Sequence, residues 1–116
     1  MVINGKEYGF KLTVGASVKI SRLCPDGDLA KLGKVMEDAY GKQAEAIAKI
    51  ICYLNEGFVQ SEKFYGRTAE SLTEDMLMAI TPSEFASVSD AAFKAFLGDV
   101  NGEIEVETPK KEEAEG

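Results

Sequence analysis

Large apolar residues along this chain recur every second position near the start, and at a spacing of about 3.6 over most of the remainder. In Val2-Ile3-Asn4-Gly5-Lys6-Glu7-Tyr8-Gly9-Phe10-Lys11-Leu12, the pair Asn4-Gly5 predicts a β-hairpin. A type I′ turn needs positive φ at both central residues, and Asn-Gly supplies it most readily. Tyr8, Phe10 and Leu12 then alternate with Glu7, Gly9 and Lys11, which puts the large side chains on one face. An isolated hairpin is marginal in water, so that face needs the helices that follow.

A short helix is expected around Ala16 to Leu23, with Ala16, Ile20, Leu23 and Cys24 on one side, broken by Cys24-Pro25-Asp26-Gly27. Asp28 suits the N-cap of the next helix, where Leu29, Leu32, Met36, Ala39 and Tyr40 keep helical spacing and Gly41 ends the run. The clearest helix spans about Lys42 to Glu56. Its stripe of Ile47, Ile50, Ile51, Leu54 and Phe58, widened by Ala44, Ala48 and Cys52, is broad enough for the centre of a bundle, and Gly57 reads as its stop. Phe64 and Tyr65 suggest a short helix ended by Gly66. Ser71-Leu72-Thr73-Glu74 fits a capping box ahead of Met76, Leu77 and Ile80. Thr81-Pro82-Ser83-Glu84 is a stronger start signal, with a capping residue, proline at the first helical position and a glutamate able to reach back. Phe85 and Val88 follow it, and Ser89-Asp90 is read as opening a last helix with Phe93, Phe96, Leu97 and Val100.

After Asn101-Gly102 the texture changes. Glu103-Ile104-Glu105-Val106-Glu107 alternates charge with β-branched residues, a pattern able to add a strand to the hairpin, whereas 108–116 lacks large apolar groups and reads as disordered. The fold expected is therefore mainly α: a small helical bundle with an N-terminal β-hairpin over residues 1–102, then an acidic flexible tail over 103–116.

Composition narrows the function. A hydrophobic share of 45% against 28% charged residues marks a globular body. Net charge is −7, of which the last fourteen residues, with six Glu and two Lys, carry −4. Without a basic stripe, neither nucleic acid nor an anionic membrane is an expected partner. No apolar run approaches the roughly 20 residues of a membrane span, and the start has no signal-peptide pattern. Cys24 and Cys52 in such a chain are expected as buried thiols of a reducing cytoplasm.

Candidate chemistry is sparse. The chain has no histidine, which removes the commonest general base and the Ser/His and Cys/His nucleophile pairs. Gly41-Lys42 lacks the earlier glycine and the Ser/Thr of a phosphate loop, and Asp99-Val100-Asn101-Gly102-Glu103 lacks the ligand ladder of a calcium loop. The expectation is a non-enzymatic binding protein with no catalytic, cofactor or metal residues. Met76-Leu77-Met78-Ala79-Ile80 is apolar over five consecutive positions, more than one helix face can bury, and methionine adapts to irregular partners. Met76, Leu77, Met78, Ile80 and Phe85 are accordingly the expected partner-binding residues.

The opening Ile3-Asn4-Gly5-Lys6-Glu7-Tyr8-Gly9-Phe10-Lys11, followed by a helical body and an acidic, lysine-containing tail, resembles the tail assembly chaperones of long-tailed phages and prophages of Gram-positive bacteria. That resemblance implies a protein of the bacterial host cytoplasm that binds the tape measure protein and promotes assembly of the tail tube around it. The tail tube protein is a further partner it implies, and oligomeric state is left open. It also implies a longer form made by ribosomal frameshift, for which codons at Pro109-Lys110-Lys111 are a candidate place. Two alternatives come from other classes. One is a structural tail or head-completion protein of the virion. The other is an acyl-carrier-like protein, because Glu70-Ser71-Leu72 resembles the Asp-Ser-Leu around a phosphopantetheine-bearing serine.

Overall fold

A computed structural model describes the backbone of residues 1–36 and 44–107, and the side chains of 1–35 and 44–100. The hairpin forms as its turn requires. Strand β1 (Val2–Ile3) pairs antiparallel with β2 (Lys6–Glu7), Val2 opposite Glu7 and Ile3 opposite Lys6. Asn4 and Gly5 take φ of 53° and 81°, as expected of a type I′ turn. The second strand is shorter than its alternation suggests. Tyr8 N still donates to the Met1 carbonyl at 2.8 Å, but Lys11 N donates to the Leu54 carbonyl at 2.9 Å and Leu12 N to an Asp99 carboxylate oxygen at 2.7 Å. Helices, not a strand, satisfy this segment's donors.

Helix α1 (Val14–Ser21) starts at Thr13, whose hydroxyl accepts from Ala16 N at 3.1 Å, and it buries Ala16 and Ile20. A reversal at Pro25–Gly27, with Asp26 and Gly27 both at positive φ, leads to Asp28. The Asp28 carboxylate caps a single 3₁₀ turn, Leu29–Lys31, by accepting from Ala30 N at 3.0 Å, and α2 (Leu32–Met36) follows. The expected continuation through Ala39 and Tyr40 to Gly41, and the expected start of the next helix at Lys42, lie outside the described residues.

Helix α3 (Ala44–Phe64) is the axis of the molecule and packs against α1, α2 and a further pair of helices, α4 (Glu74–Met78) and α5 (Pro82–Glu107). Its Ile47, Ile50, Ile51 and Leu54 are fully buried, together with Ile20, Leu32, Leu77 and Val88. The stop expected at Gly57 does not occur. Gly57 is buried within the helix, and a Cβ there would sit 2.5 Å from the Lys11 carbonyl oxygen and 3.0 Å from the Thr13 hydroxyl. The glycine lets the segment after the hairpin cross α3 in contact with its backbone. Gly9 does the same from the other side, since its Cβ would lie 2.6 Å from the Phe58 ring.

Two further boundaries differ from the sequence reading. Thr73, not Ser71, caps α4, accepting from Met76 N at 3.3 Å, while Glu74 reaches Lys49 at 3.4 Å. The expected box fails because Leu72 is buried and its N–H is already bound by Asn55, which draws the chain before Thr73 toward α3. Ser89-Asp90 opens no new helix. Ser89 is buried inside α5, and Asp90 pairs with Lys94 one turn on, at 3.0 Å. The capping box at Thr81 does form, reciprocally: Thr81 N donates to Glu84 Oε1 at 2.9 Å, and Glu84 N donates to the Thr81 hydroxyl at 3.2 Å.

No strand forms at 103–107, because α5 continues through Asn101-Gly102 to Glu107. Extending a formed helix adds one hydrogen bond per residue fixed, whereas returning to the hairpin would first cost loop closure. Of the acidic flexible tail expected over 103–116, residues 103–107 are thus helical, and 108–116 lie outside the described residues. The architecture is thus a mainly helical bundle with a two-stranded N-terminal hairpin packed on it.

Candidate functional site

The five residues singled out from the sequence are divided between core and surface. Leu77 (2% exposed) and Phe85 (5%) belong to the core, Met76 and Ile80 are half-buried against it, and Met78 is the exposed member at 56%. The short helix α4, packed on α3, therefore hides most of the apolar run that it opens. What remains at this place is a single methionine, not a continuous surface.

A continuous apolar surface lies elsewhere. Leu29, Ala30, Leu32 and Gly33 form one wall of a groove, and Phe93, Phe96, Leu97 and Val100 of α5 form the other, enclosing about 450 Å³. The α5 wall comes from i, i+3, i+4, i+7 spacing, which keeps these residues on one stripe. Phe93 and Phe96 stack with ring centroids 6.0 Å apart. Phe96 is turned into the core, but Leu97 and Val100 are 43% and 39% exposed. The opposite wall is set by Asp28, whose cap starts the turn that carries Leu29. The periodicity of 93–100 was legible in the sequence, but which of its residues the core leaves exposed was not.

Two polar residues to which the sequence reading gave no structural role hold this arrangement. Asn55, 1% exposed on the apolar stripe of α3, donates through Nδ2 to the carbonyls of Gly9 (3.0 Å) and Glu70 (3.3 Å), while its Oδ1 accepts from Leu72 N at 2.7 Å. One amide thereby ties the hairpin's exit and the loop before α4 to the central helix. Asp99 ties Leu12 to α5, the helix that carries the groove. A lone amide among isoleucines at helical spacing was the available signal for Asn55. Nothing local marks Asp99.

The end of α3 forms a second exposed feature. Gly66, at φ +80°, lets Arg67 N donate back to the Glu62 carbonyl at 2.8 Å and Gly66 N to that of Lys63 at 3.0 Å, the pattern of a Schellman cap. Where such caps commonly close with an apolar contact, this one closes with a charge pair: Arg67 Nε and Nη2 both donate to the Glu62 carboxylate at 2.8 Å. That pair holds the Glu62 carboxyl below its ordinary value. The Arg67 guanidinium also lies 5.5 Å from the Tyr65 ring centre, and Tyr65 meets Phe64 edge to face at 5.2 Å. Phe64 and Tyr65 are nonetheless 83% and 62% exposed.

Cys24 and Cys52 are free thiols, Cys24 buried and Cys52 half-buried. Burial, reinforced by the Glu74 charge, pushes the Cys52 thiol up to about 12. Ser71 is exposed in the loop ahead of the Thr73 cap. Among the described residues, no three or more Cys, Asp or Glu side chains are grouped to hold a metal ion, and no helix is long and apolar enough to cross a membrane. Comparison with known proteins finds no matching family model, no matching curated protein and no matching solved structure.

Proposed function

We propose that this chain is a tail assembly chaperone of the kind its opening segment resembles, acting by binding and not by catalysis. In this reading it holds an amphipathic helical segment of the tape measure protein in the groove between Leu29–Gly33 and α5. The observation that carries the proposal is the groove itself. Its described lining is apolar throughout, and it leaves Leu97 and Val100 in contact with water. Such a surface lowers its free energy when the apolar face of a helix covers it, at roughly 25 cal/mol per Å² of apolar area removed from water. A long client built of apolar helical stripes presents many such faces before it is packed inside a tube, and covering them keeps it soluble.

The test is co-expression with the tape measure protein. Wild type should keep the client in the soluble fraction, and Leu97→Asp with Val100→Asp should lose most of that rescue while remaining folded by circular dichroism. Met78→Asp run beside them asks whether the methionine expected from sequence contributes. Full rescue by the double groove variant would overturn the assignment of the groove. Stoichiometric retention of the chain in purified particles would overturn the chaperone reading in favour of a structural component, and a phosphopantetheine adduct on Ser71 would overturn it in favour of a carrier.

A further inference from the structure

Strand β2 leaves a main-chain edge without a partner. Tyr8 N donates to the Met1 carbonyl at 2.8 Å and the Met1 ammonium donates to the Tyr8 carbonyl at 3.1 Å, so Met1 and Tyr8 form a hydrogen-bonded pair. Pair type alternates along an antiparallel ladder. The next pair, Val2 opposite Glu7, is therefore of the other type, and the Glu7 N–H and C=O point away from β1. Neither group is hydrogen-bonded to the protein among the described residues. An edge of this kind is a template for a further strand.

Glu7 lines a hollow of about 760 Å³, and across it Thr68, Ala69 and Glu70 belong to a loop outside any helix or strand. Where the lining residues Gly9 and Glu70 come together, one side chain already does what a guest strand would do. The Asn55 amide bridges the two segments, donating to the Gly9 and Glu70 carbonyls at 3.0 and 3.3 Å and accepting from Leu72 N at 2.7 Å. The half-buried Phe10, Phe58 and Ala91 line the same hollow. They offer apolar contact to every second residue of an extended chain. The charges around it are already matched: Lys6 pairs with Glu70, the Met1 ammonium with Glu7 and Arg67 with Glu62. A lining so balanced suits an uncharged guest. A second copy of β2 suits it badly, because pairing edge to edge about Glu7 would set two like charges directly opposite.

We infer that this hollow receives an extended, uncharged segment of another protein, with apolar residues at alternate positions, as a third strand on β2. The guest's backbone donates to the Glu7 carbonyl and accepts from the Glu7 N–H. Main-chain bonds supply the affinity, and the surface of Phe10, Phe58 and Ala91 selects the side chains. The hollow shares no lining residue with the groove on α5, and the inference does not rest on the chaperone reading.

The probe is the peptide acetyl-Thr-Val-Thr-Val-Thr-amide, added to ¹⁵N-labelled full-length protein and followed by amide hydrogen exchange. With peptide at about ten times its Kd, the Glu7 amide should exchange roughly tenfold more slowly. The same peptide N-methylated along its backbone keeps the side chains, loses the donors and should give no protection. Glu7→Pro removes the outward N–H, a change that an edge strand tolerates. It should abolish the shift changes that the peptide causes at Phe58 and Ala69, whereas Glu7→Gln, which keeps the donor, should retain them. No protection at the solubility limit of the peptide, or equal protection by the methylated form, would overturn the inference. Protection of Glu7 that grows with protein concentration in the absence of peptide would also overturn it, giving the edge to a second copy.

Discussion

Asn55 joins three backbone groups that are distant in sequence, and it does so from a position with almost no access to water. Removing its side chain leaves the Leu72 N–H and two carbonyls without this partner in a region water reaches poorly. Each unsatisfied buried group costs about 1–3 kcal/mol, and such deletions are not simply additive. Asn55→Ala should therefore lower stability by about 3 kcal/mol, seen as a fall in the urea midpoint with little change in slope. Asn55→Leu should recover none of this despite its bulk, because the partners would remain unpaired. A loss below about 0.5 kcal/mol in either variant would show that the clamp is dispensable. The residue illustrates what periodicity conveys and what it omits. Position 55 falls on the apolar stripe four residues after Ile51, so its burial was legible in the sequence. Its partners were not, because Gly9, Glu70 and Leu72 are brought to it only by the assembled fold.

At the scale of elements, the hairpin turn, the short helix expected around Ala16 to Leu23 and the Thr81 cap were legible because each depends on a few adjacent residues. The errors concern where helices start and stop. Glycine costs about 1 kcal/mol inside a helix, so Gly57 reads as a terminus until a second chain is seen to cross there. Gly57→Ala improves intrinsic helix propensity and yet places a methyl against the Lys11 carbonyl oxygen. Overpacking of this kind costs about 1–3 kcal/mol, so the variant should be less stable than wild type in urea titration. If Gly57→Ala were instead stabilising, the crossing would be looser than described. The cap at Thr81 carries a pH dependence. Hydrogen bonds from the Thr81 backbone and hydroxyl hold the Glu84 carboxyl below its ordinary 4.5. Because the folded value is depressed, the contribution is present above the unfolded value and lost as pH falls through the folded one. Glu84→Gln, which removes the titrating carboxyl, should flatten the acid limb of stability measured between about pH 5 and pH 3, while leaving its shape near pH 7 unchanged. An unaltered acid limb would mean that Glu84 does not cap α5 in solution.

Across the whole molecule, three devices join the hairpin to the helices: the Lys11 N–H on Leu54, the Asn55 clamp and the Asp99 carboxylate on Leu12. The first two act on α3 and the last on α5, so a two-stranded element that is marginal alone becomes part of one core. This connection was beyond the reach of sequence reading, since Leu12 and Asp99 are 87 positions apart. It implies that the hairpin and the groove-bearing helix melt together. Tyr8 is buried in the hairpin's exit and the chain has no tryptophan, so in a background with Tyr40, Tyr53 and Tyr65 replaced by Phe, tyrosine fluorescence reports on that region while far-ultraviolet circular dichroism reports mainly on α3 and α5. The two signals should give coincident urea transitions. Asp99→Ala removes a hydrogen bond to a charged acceptor, a contact worth about 1.5–3 kcal/mol, and should move both transitions down by the same amount. A fluorescence transition that separates from the dichroism in the variant would mean that Asp99 alone couples the hairpin to the bundle. Separation already present without the Asp99 substitution would mean that the hairpin is a satellite, and that the groove on α5 is built without its help.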